Sequence, residues 1–504
     1  MMEVIMSTNV KRILSLLLAS LMLTSAVSCG ADQKETAKDT SSSSGSDSTA
    51  AETEDQYLDD LPENLDFGGT DIRFLSVSGN GEFYVDLEED DIADPVVEAV
   101  WKRNNLLTER ININIVQPVD ISKDDLNSTV QNSVASGSDD YDVLNVYARF
   151  NMEIAAQGLV NNLDTINYLD FTKNYWNDIY ITNLSYNNIH YWAGGDISTN
   201  YMTTARAIFA NLNLWKQRFP ADSLYDIVMN GNWTLDEFAT RIQDTYIDTN
   251  GDGIRDVTDT YGFMSDTGAG TTNCLMFGAG MAFTKYEEEG VPALDIPSEH
   301  NLAVFDYYHN FLFNNQNVFY DDAIMDVGEG ALFAQGKALF VNAQVGWIDD
   351  NIRNMDDDFY LIPAPKNDTL QEEYRVTQQD GFNLIGVPVT AQAEKLDAIG
   401  ASLEGMSSMA STLFFPAYYE TTLKDKYSRN PEAQDLIDLI HDSIIADFCL
   451  GWCDSVGYMG NSTLQIFAKN IQRESITSVL EKNMKVYEKG LEMLLENFDK
   501  YMEN

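Results

Sequence analysis

The most sharply spaced polar residues form the run Asp248-Thr249-Asn250-Gly251-Asp252-Gly253-Ile254-Arg255-Asp256-Val257-Thr258-Asp259. Oxygen-bearing side chains stand at loop positions 1, 3, 5, 9 and 12 (Asp248, Asn250, Asp252, Asp256, Asp259), glycine at 6 and the backbone carbonyl of Ile254 at 7. Alternate oxygens at this spacing converge on one hard cation, so the run is read as an EF-hand-type Ca2+ loop. Aspartate in place of glutamate at position 12 shortens the reach for a bidentate contact. Such a loop fits a structural staple on a surface connection better than a catalytic centre.

Catalytic groupings are thin elsewhere. His190, His300, His309 and His441 show no metal-ligand spacing. With 80 Asp and Glu in the chain, two that pair for glycoside hydrolysis arise by chance. No glycine-rich phosphate loop stands between a strand and a helix, and there is no Gly-x-Ser-x-Gly elbow. Cys449 and Cys453 lie one helical turn apart and Cys274 has no obvious partner, so all three are read as buried free thiols.

The aromatic residues are more informative. Most of the 7 Trp, 25 Tyr and 24 Phe belong in a core. A minority sit beside turns and polar residues: Tyr147-Ala148-Arg149, Tyr191-Trp192-Ala193-Gly194-Gly195-Asp196, Gly346-Trp347, Tyr418-Tyr419-Glu420 and Gly451-Trp452. Flat rings bordered by carboxylates and amides suit sugars, which offer apolar C–H faces to stack and hydroxyls to hydrogen-bond. As a set they imply a cleft for a polar ligand.

What must position these residues is a large acidic body. A chain of 504 residues exceeds one compact core, so two or more domains are expected. Lys+Arg total 31 against 80 Asp+Glu, a formal net charge of −49, which excludes nucleic acid as a partner and argues against docking on anionic lipid. Only 4 Cys exclude a disulfide-built scaffold.

The N-terminus carries a processing signal. Lys11-Arg12 precedes an apolar run over 13–23 that is too short to span a bilayer comfortably, and the run ends in Ala26-Val27-Ser28-Cys29-Gly30. This resembles a bacterial lipobox, which implies a signal peptide over 1–28 and an acylated Cys29 (diacylglyceryl and palmitate) as the new N-terminus. Two or three acyl chains hold a protein firmly on a membrane. Residues 29–65, Ser/Thr/Asp/Glu-rich over much of their length, read as a disordered tether.

Beyond the tether, strands are expected at 72–77, 111–115 and 142–146, separated by a helix opened by Asp94-Pro95 and another over 120–136. This alternation is the signature of a parallel sheet covered by helices. A second set follows: a strand at 205–210, a helix over 212–218, a capping box at Thr234-Leu235-Asp236-Glu237, and strands at 338–341, 358–363 and 382–387. The last hundred residues are mainly helical, with 476–502 strongly amphipathic.

In order and spacing these segments resemble an extracellular solute-binding lipoprotein of a bacterial carbohydrate ABC transporter, of the maltose-binding-protein-like kind. The carriers are Asp94-Pro95 with Lys102-Arg103-Asn104 and Glu109-Arg110, Gly194-Gly195-Asp196-Ile197-Ser198, Asn232-Trp233-Thr234-Leu235-Asp236-Glu237-Phe238, Gly336-Lys337-Ala338-Leu339-Phe340, Arg353-Asn354-Met355-Asp356-Asp357-Asp358-Phe359, Ile362-Pro363-Ala364-Pro365-Lys366, and Pro416-Ala417-Tyr418-Tyr419 with Leu423-Lys424-Asp425-Lys426-Tyr427.

The resemblance implies an α/β fold of the two-lobed periplasmic-binding-protein kind (type II) with discontinuous lobes joined by a hinge. The first lobe would take 66–195 plus 362–412, the second 196–361 plus 413–504, with crossings near 193–198, 361–365 and 410–416. It implies no enzymatic activity, a sugar or oligosaccharide clamped between the lobes, and delivery by a monomer to the transmembrane subunits of an ABC permease. It also implies a place on the outer face of the cell membrane of a Gram-positive type cell. Trp347, shortly after the Gly-Lys-Ala strand, matches a sugar-stacking tryptophan of the family. Trp192, Asp196, Tyr147, Tyr418, Tyr419 and Trp452 join it as ligand candidates, and Arg149, with Arg206, would serve an acidic sugar. The alternatives are a receptor for another solute, such as a peptide or acidic sugar, and a surface glycoside hydrolase.

Overall fold

The computed structural model describes residues 57–77, 92, 94–348, 352, 355–379, 381–418, 431–459 and 475–502. Cys29 and the signal segment, with Tyr419, lie outside the described residues.

Four strands build the first sheet: β1 (Thr70–Val77), β2 (Ile113–Ile121), β3 (Val143–Tyr147) and, much later in the chain, β11 (Asn383–Gly386). Their order is β11-β3-β1-β2, with β1 parallel to both β2 and β3 and β11 antiparallel to β3. The connections are helices α1 (Pro95–Ile111) and α2 (Lys123–Ser136). Asp94 caps α1 by accepting the N–H groups of Val96 and Val97, and Pro95 occupies the first turn, where no donor is needed. Alternate residues of the buried strands serve two cores: Ile72, Phe74, Val143 and Ile385 face one, Val77, Leu144, Val146 and Leu384 the other.

The second sheet is mixed, in the order β10-β4-β9-β5-β8. It comprises β4 (Arg206–Asn211), β5 (Tyr261–Ser265), β8 (Val318–Tyr320), β9 (Ala338–Gln344) and β10 (Phe359–Ile362), while β6 (Thr284–Glu288) and β7 (Val291–Leu294) form a separate hairpin. Strand β5 runs parallel to β8 and β9, whereas β4 is antiparallel to β9 and β10. Helix α3 (Leu212–Arg218) follows β4, α4 (Leu235–Arg241) is capped by Thr234, and α5 (Ala269–Gly278) follows β5. Among the described residues no helix is long and apolar enough to cross a membrane.

The chain passes between the sheets more than once. Around 193–206 it leaves the first sheet, Ala193 pairing with Ile385 and Ala205 with Gln378. The return runs through 376–382, where Arg206 N–H donates to Thr377 O (2.9 Å) and Gln379 N–H to Thr204 O (2.8 Å). A third segment, 443–446, lies parallel beside Val376, with Ile445 N–H donating to Val376 O (2.9 Å).

Two of the expected crossings are therefore displaced. Pro363 and Pro365 end β10 within the second sheet's layer, where Trp233 Nε1 donates to Pro363 O (3.0 Å). Residues 410–414 continue helix α6 (Leu396–Met409) as a widened turn packed on α1. The segment 413–504 also divides, because helix α7 (Pro431–Asp442) packs on β10 while α8 (Ile476–Met502) lies along 152–157. The expected tether ends sooner than 65. Arg110 grips Asp59 with two N–H groups (2.9 and 2.7 Å) and stacks over Tyr57, while Leu61 is buried, so apolar surface and an ion pair dock the chain from Tyr57 onward.

Candidate functional site

In α/β sheets the crevice beyond the carboxyl ends of parallel strands is where ligands bind. The turn after β5 carries a connected polar network there. Asp266 is buried and accepts from Gly268 N–H and from the Thr271 hydroxyl (2.8 and 2.9 Å). Thr271 Oγ1 in turn accepts from Arg206 Nη1 (2.9 Å), and Arg206 Nη2 donates to Gln379 Oε1 (3.1 Å). The guanidinium carbon lies 5.1 Å from the centre of the Trp347 ring, a cation–π contact.

Trp347 follows β9 and is 37% exposed. Its ring forms one wall of an open groove of about 410 Å3 whose other lining includes Met325, Val327 and Glu329. Glu329 is only 5% exposed and its Oε1 has no hydrogen-bond partner. Burial, reinforced by the neighbouring Asp266 carboxyl, pushes Glu329 up to about 7, with the Arg206 charge opposing. The groove therefore offers one aromatic face and one carboxyl that is part-protonated near neutrality.

The start of α5 also borders a small, partly open cavity of about 50 Å3, lined by Arg149 after β3, Tyr180, Gly270, Asn273, the crossing residues Thr377 and Gln378, and the third-crossing end Ala446-Asp447. Gly270 lets Gln379 and Arg206 approach the start of α5, since a Cβ there would meet Gln379 Oε1 at 2.5 Å and Arg206 Nη2 at 3.4 Å. Arg149 Nε is tied to Asp454 (3.1 Å). Asp447 accepts from the N–H groups of Phe283, Thr284 and Leu450 and from the Thr284 hydroxyl, and burial raises its pKa despite these donors.

The residues singled out from sequence fall into two groups. Trp347 and Arg149 line the groove and the cavity. Tyr147 is half-buried at the end of β3, edge-on to Phe150 and pressed against Gly381. The others pack inside. Trp192 donates to Met152 O (3.2 Å) with Gly386 against its ring, and Trp452 donates to Leu184 O (3.1 Å) between Phe448 and Phe498. Tyr418 stacks on Phe414 in the core. Asp196 is buried against His441 Nε2 (2.9 Å). These four serve the fold: Trp192, Trp452 and Asp196 find polar partners inside it, and Tyr418 packs its ring there. Sequence reasoning missed Asp266, Glu329, Thr377, Gln378 and Tyr180, which stand on short or irregular segments, and Asn273, a polar residue inside helix α5.

The 248–259 loop is closed at its base by the Ile247–Thr260 pair. Asp248 accepts from Gly251 N–H (2.7 Å) and Gly253 N–H (2.9 Å), both glycines having positive φ (+76° and +74°), so the sixth position makes the sharp turn the spacing requires. Asp259 is buried and accepts from Thr249 N–H (3.0 Å) and the Tyr246 hydroxyl (3.1 Å). Asp252 and Asp256 accept from the N–H groups of Ile254 (2.7 Å) and Thr258 (2.8 Å), Asn250 and the Ile254 carbonyl complete the loop's oxygens, and among the described residues no three acidic, His or Cys side chains converge as a cation cage. The donors are all oxygen, the type a hard cation takes, but in this structure they do not converge on one point.

No family model matches the chain and no curated protein is similar to it. Solved structures are similar in fold. An ABC substrate-binding protein of Listeria monocytogenes, Lmo0181, in complex with cycloalternan, is 14% identical over 86% of this chain and 99% of its own, with a TM-score of 0.50. A cyclo/maltodextrin-binding protein complexed with maltotetraose is 14% identical over 86% of this chain and 97% of its own, with a TM-score of 0.52. UgpB of Mycobacterium tuberculosis, in complex with glycerophosphocholine, is 13% identical over 86% and 99%, with a TM-score of 0.51.

Proposed function

We propose, from the two-lobed type II periplasmic-binding-protein fold, that this chain is the substrate-binding protein of an ABC importer. It captures a sugar or oligosaccharide between its lobes and passes it unaltered to the permease. A lipidated Cys29 moors it, as a monomer, to the outer face of the cell membrane. The observation that carries the reading is the set of three separate crossings, 193–206, 376–382 and 443–446, set beside a polar cavity and an aromatic groove. Crossings of this kind allow hinge closure, and a binding-only chemistry needs closure and contact but no reacting group.

Titration calorimetry against neutral oligosaccharides is expected to find a micromolar or tighter binder. Trp347→Ala is expected to weaken it at least ~tenfold, or about 1.4 kcal/mol. A hydrolase would use a carboxyl pair, for which Asp266 and Glu329 stand nearest, but Asp266 is already engaged by Gly268 and Thr271. Product released from any glycan in the panel would overturn the reading.

The 248–259 loop is taken, within the same proposal, as a structural Ca2+ site. Its spacing and the positive φ at Gly253 support this. Saturating calcium at about 100 times its dissociation constant stabilises by ~2.7 kcal/mol. Excess EDTA is therefore expected to lower the unfolding midpoint, and Asp252→Ala to abolish that sensitivity. An unchanged melting curve with chelator removes the site.

A further inference from the structure

The small cavity contains a concentration of unmet hydrogen-bonding groups. Tyr180 Oη, Asn273 Oδ1, Thr377 Oγ1 and Gln378 Oε1 are buried without a partner, and all four residues line it. Their exposures are 1%, 8%, 2% and 7%. Buried polar groups are nearly always satisfied, so four orphans on one small cavity mark a place meant for something else. The Gln378 amide is not free to turn and relieve the shortage. Its Nε2 donates to Tyr201 O (2.6 Å), and a flip would set oxygen against oxygen. Thr377 is held in place through its carbonyl by Arg206 N–H. Tyr180 is wedged edge-on between Tyr201 and Phe382, and burial pushes its hydroxyl well above its ordinary pKa, so it keeps its proton.

We infer that this cavity is the subsite for one uncharged, hydroxyl-bearing end of the ligand, an inference that rests on the receptor reading above. The Gln378 amide oxygen only accepts and cannot turn away, so the occupant must donate to it, while the Asn273 amide and the Thr377 and Tyr180 hydroxyls serve either sense. A carboxylate has no proton to give and would meet the fixed Gln378 amide oxygen with Asp447 nearby. The nearest cation, Arg149, is bound to Asp454. The space admits only a few water molecules, which suits a hydroxymethyl group or a pair of ring hydroxyls at a chain end. Tyr180 stands on 178–183, Asn273 on α5 after β5, and Thr377 and Gln378 on the return crossing, so an occupant that satisfies all four joins three parts of the fold.

Calorimetry tests this with maltotetraose, cellotetraose, xylotetraose and mannotetraose, alongside acidic trigalacturonate and the amine-bearing chitosan trimer. A neutral tetrasaccharide is expected to bind tightest. Thr377→Val, which keeps the shape and removes the hydroxyl, is expected to weaken that ligand at least tenfold while leaving the unfolding midpoint unchanged or higher. Asn273→Leu is expected to do the same. If trigalacturonate or the chitosan trimer binds best, this inference fails while the receptor reading stands; if nothing binds, both fail. A lowered midpoint with unaltered affinity in Thr377→Val would show that structural water fills the cavity, and would also overturn it.

Discussion

His441→Gln is expected to lower stability by roughly 1–3 kcal/mol at pH 6, the cost of leaving the buried Asp196 carboxylate without its part-buried imidazole partner. His441 ends α7 just before the third crossing, and Asp196 lies in the first. Their contact is Nε2 to Oδ1 at 2.9 Å, with Asp442 on the other ring nitrogen (3.2 Å) and the rings of Tyr201 and Phe415 packed edge-on. Burial alone would depress the imidazole, but the two carboxylates outweigh it and push His441 up to about 10 from its usual 6.5. The folded state therefore holds a proton that the unfolded state releases at lower pH. The stabilisation is complete below about 6.5 and is lost as pH rises toward 10. Denaturant midpoints measured from pH 6 to 10 should fall for the native chain and stay flatter for His441→Gln. Parallel curves would mean that the imidazole is neutral in the fold.

Gly195→Ala is expected to be at least as damaging, on the order of 3 kcal/mol or more from backbone overlap. Gly195 has φ +132°, and a Cβ there would lie 2.4 Å from Tyr175 O. That carbonyl accepts Asp196 N–H (2.9 Å), and Trp176 pairs with Gly195, so the strands cannot part without losing those bonds. Because Asp196 is the next residue, the shift would also disturb its bond to His441. The check is a denaturation curve, with Gly251→Ala in the surface loop as the control, where a Cβ meets nothing within 4 Å. Equal losses in both variants would assign the effect to positive φ alone.

Local order was legible where one signal decides it. Asp94-Pro95 and Thr234 announce helix starts because the cap is made by residues adjacent in sequence. The alternation of strands and helices over 70–147 gave the parallel sheet for the same reason. The crossings were harder. Pro363 and Pro365 stop a strand, which says nothing about where the chain goes next, and the true return at 376–382 is a polar stretch held by single bridges without any period. The site was less legible still. A tryptophan beside glycines and polar residues reads as exposed, yet Trp192 and Trp452 are buried because a distant backbone carbonyl accepts each indole N–H. Among 80 Asp and Glu, nothing local could say that Asp266 and Glu329 would meet.

Strand β11 closes the open side of β3 but is made about 235 residues after it. At 5–20 residues per second, synthesis takes roughly 10–50 s to supply it. Until then β3 presents unpaired amides and carbonyls along a strand whose side chains are all apolar but Asn145 and Tyr147, a template for mispairing with another nascent chain. Yield on expression should thus depend on how well the growing polypeptide is shielded over that interval, and a holding chaperone should recover more protein than any change to the finished surface.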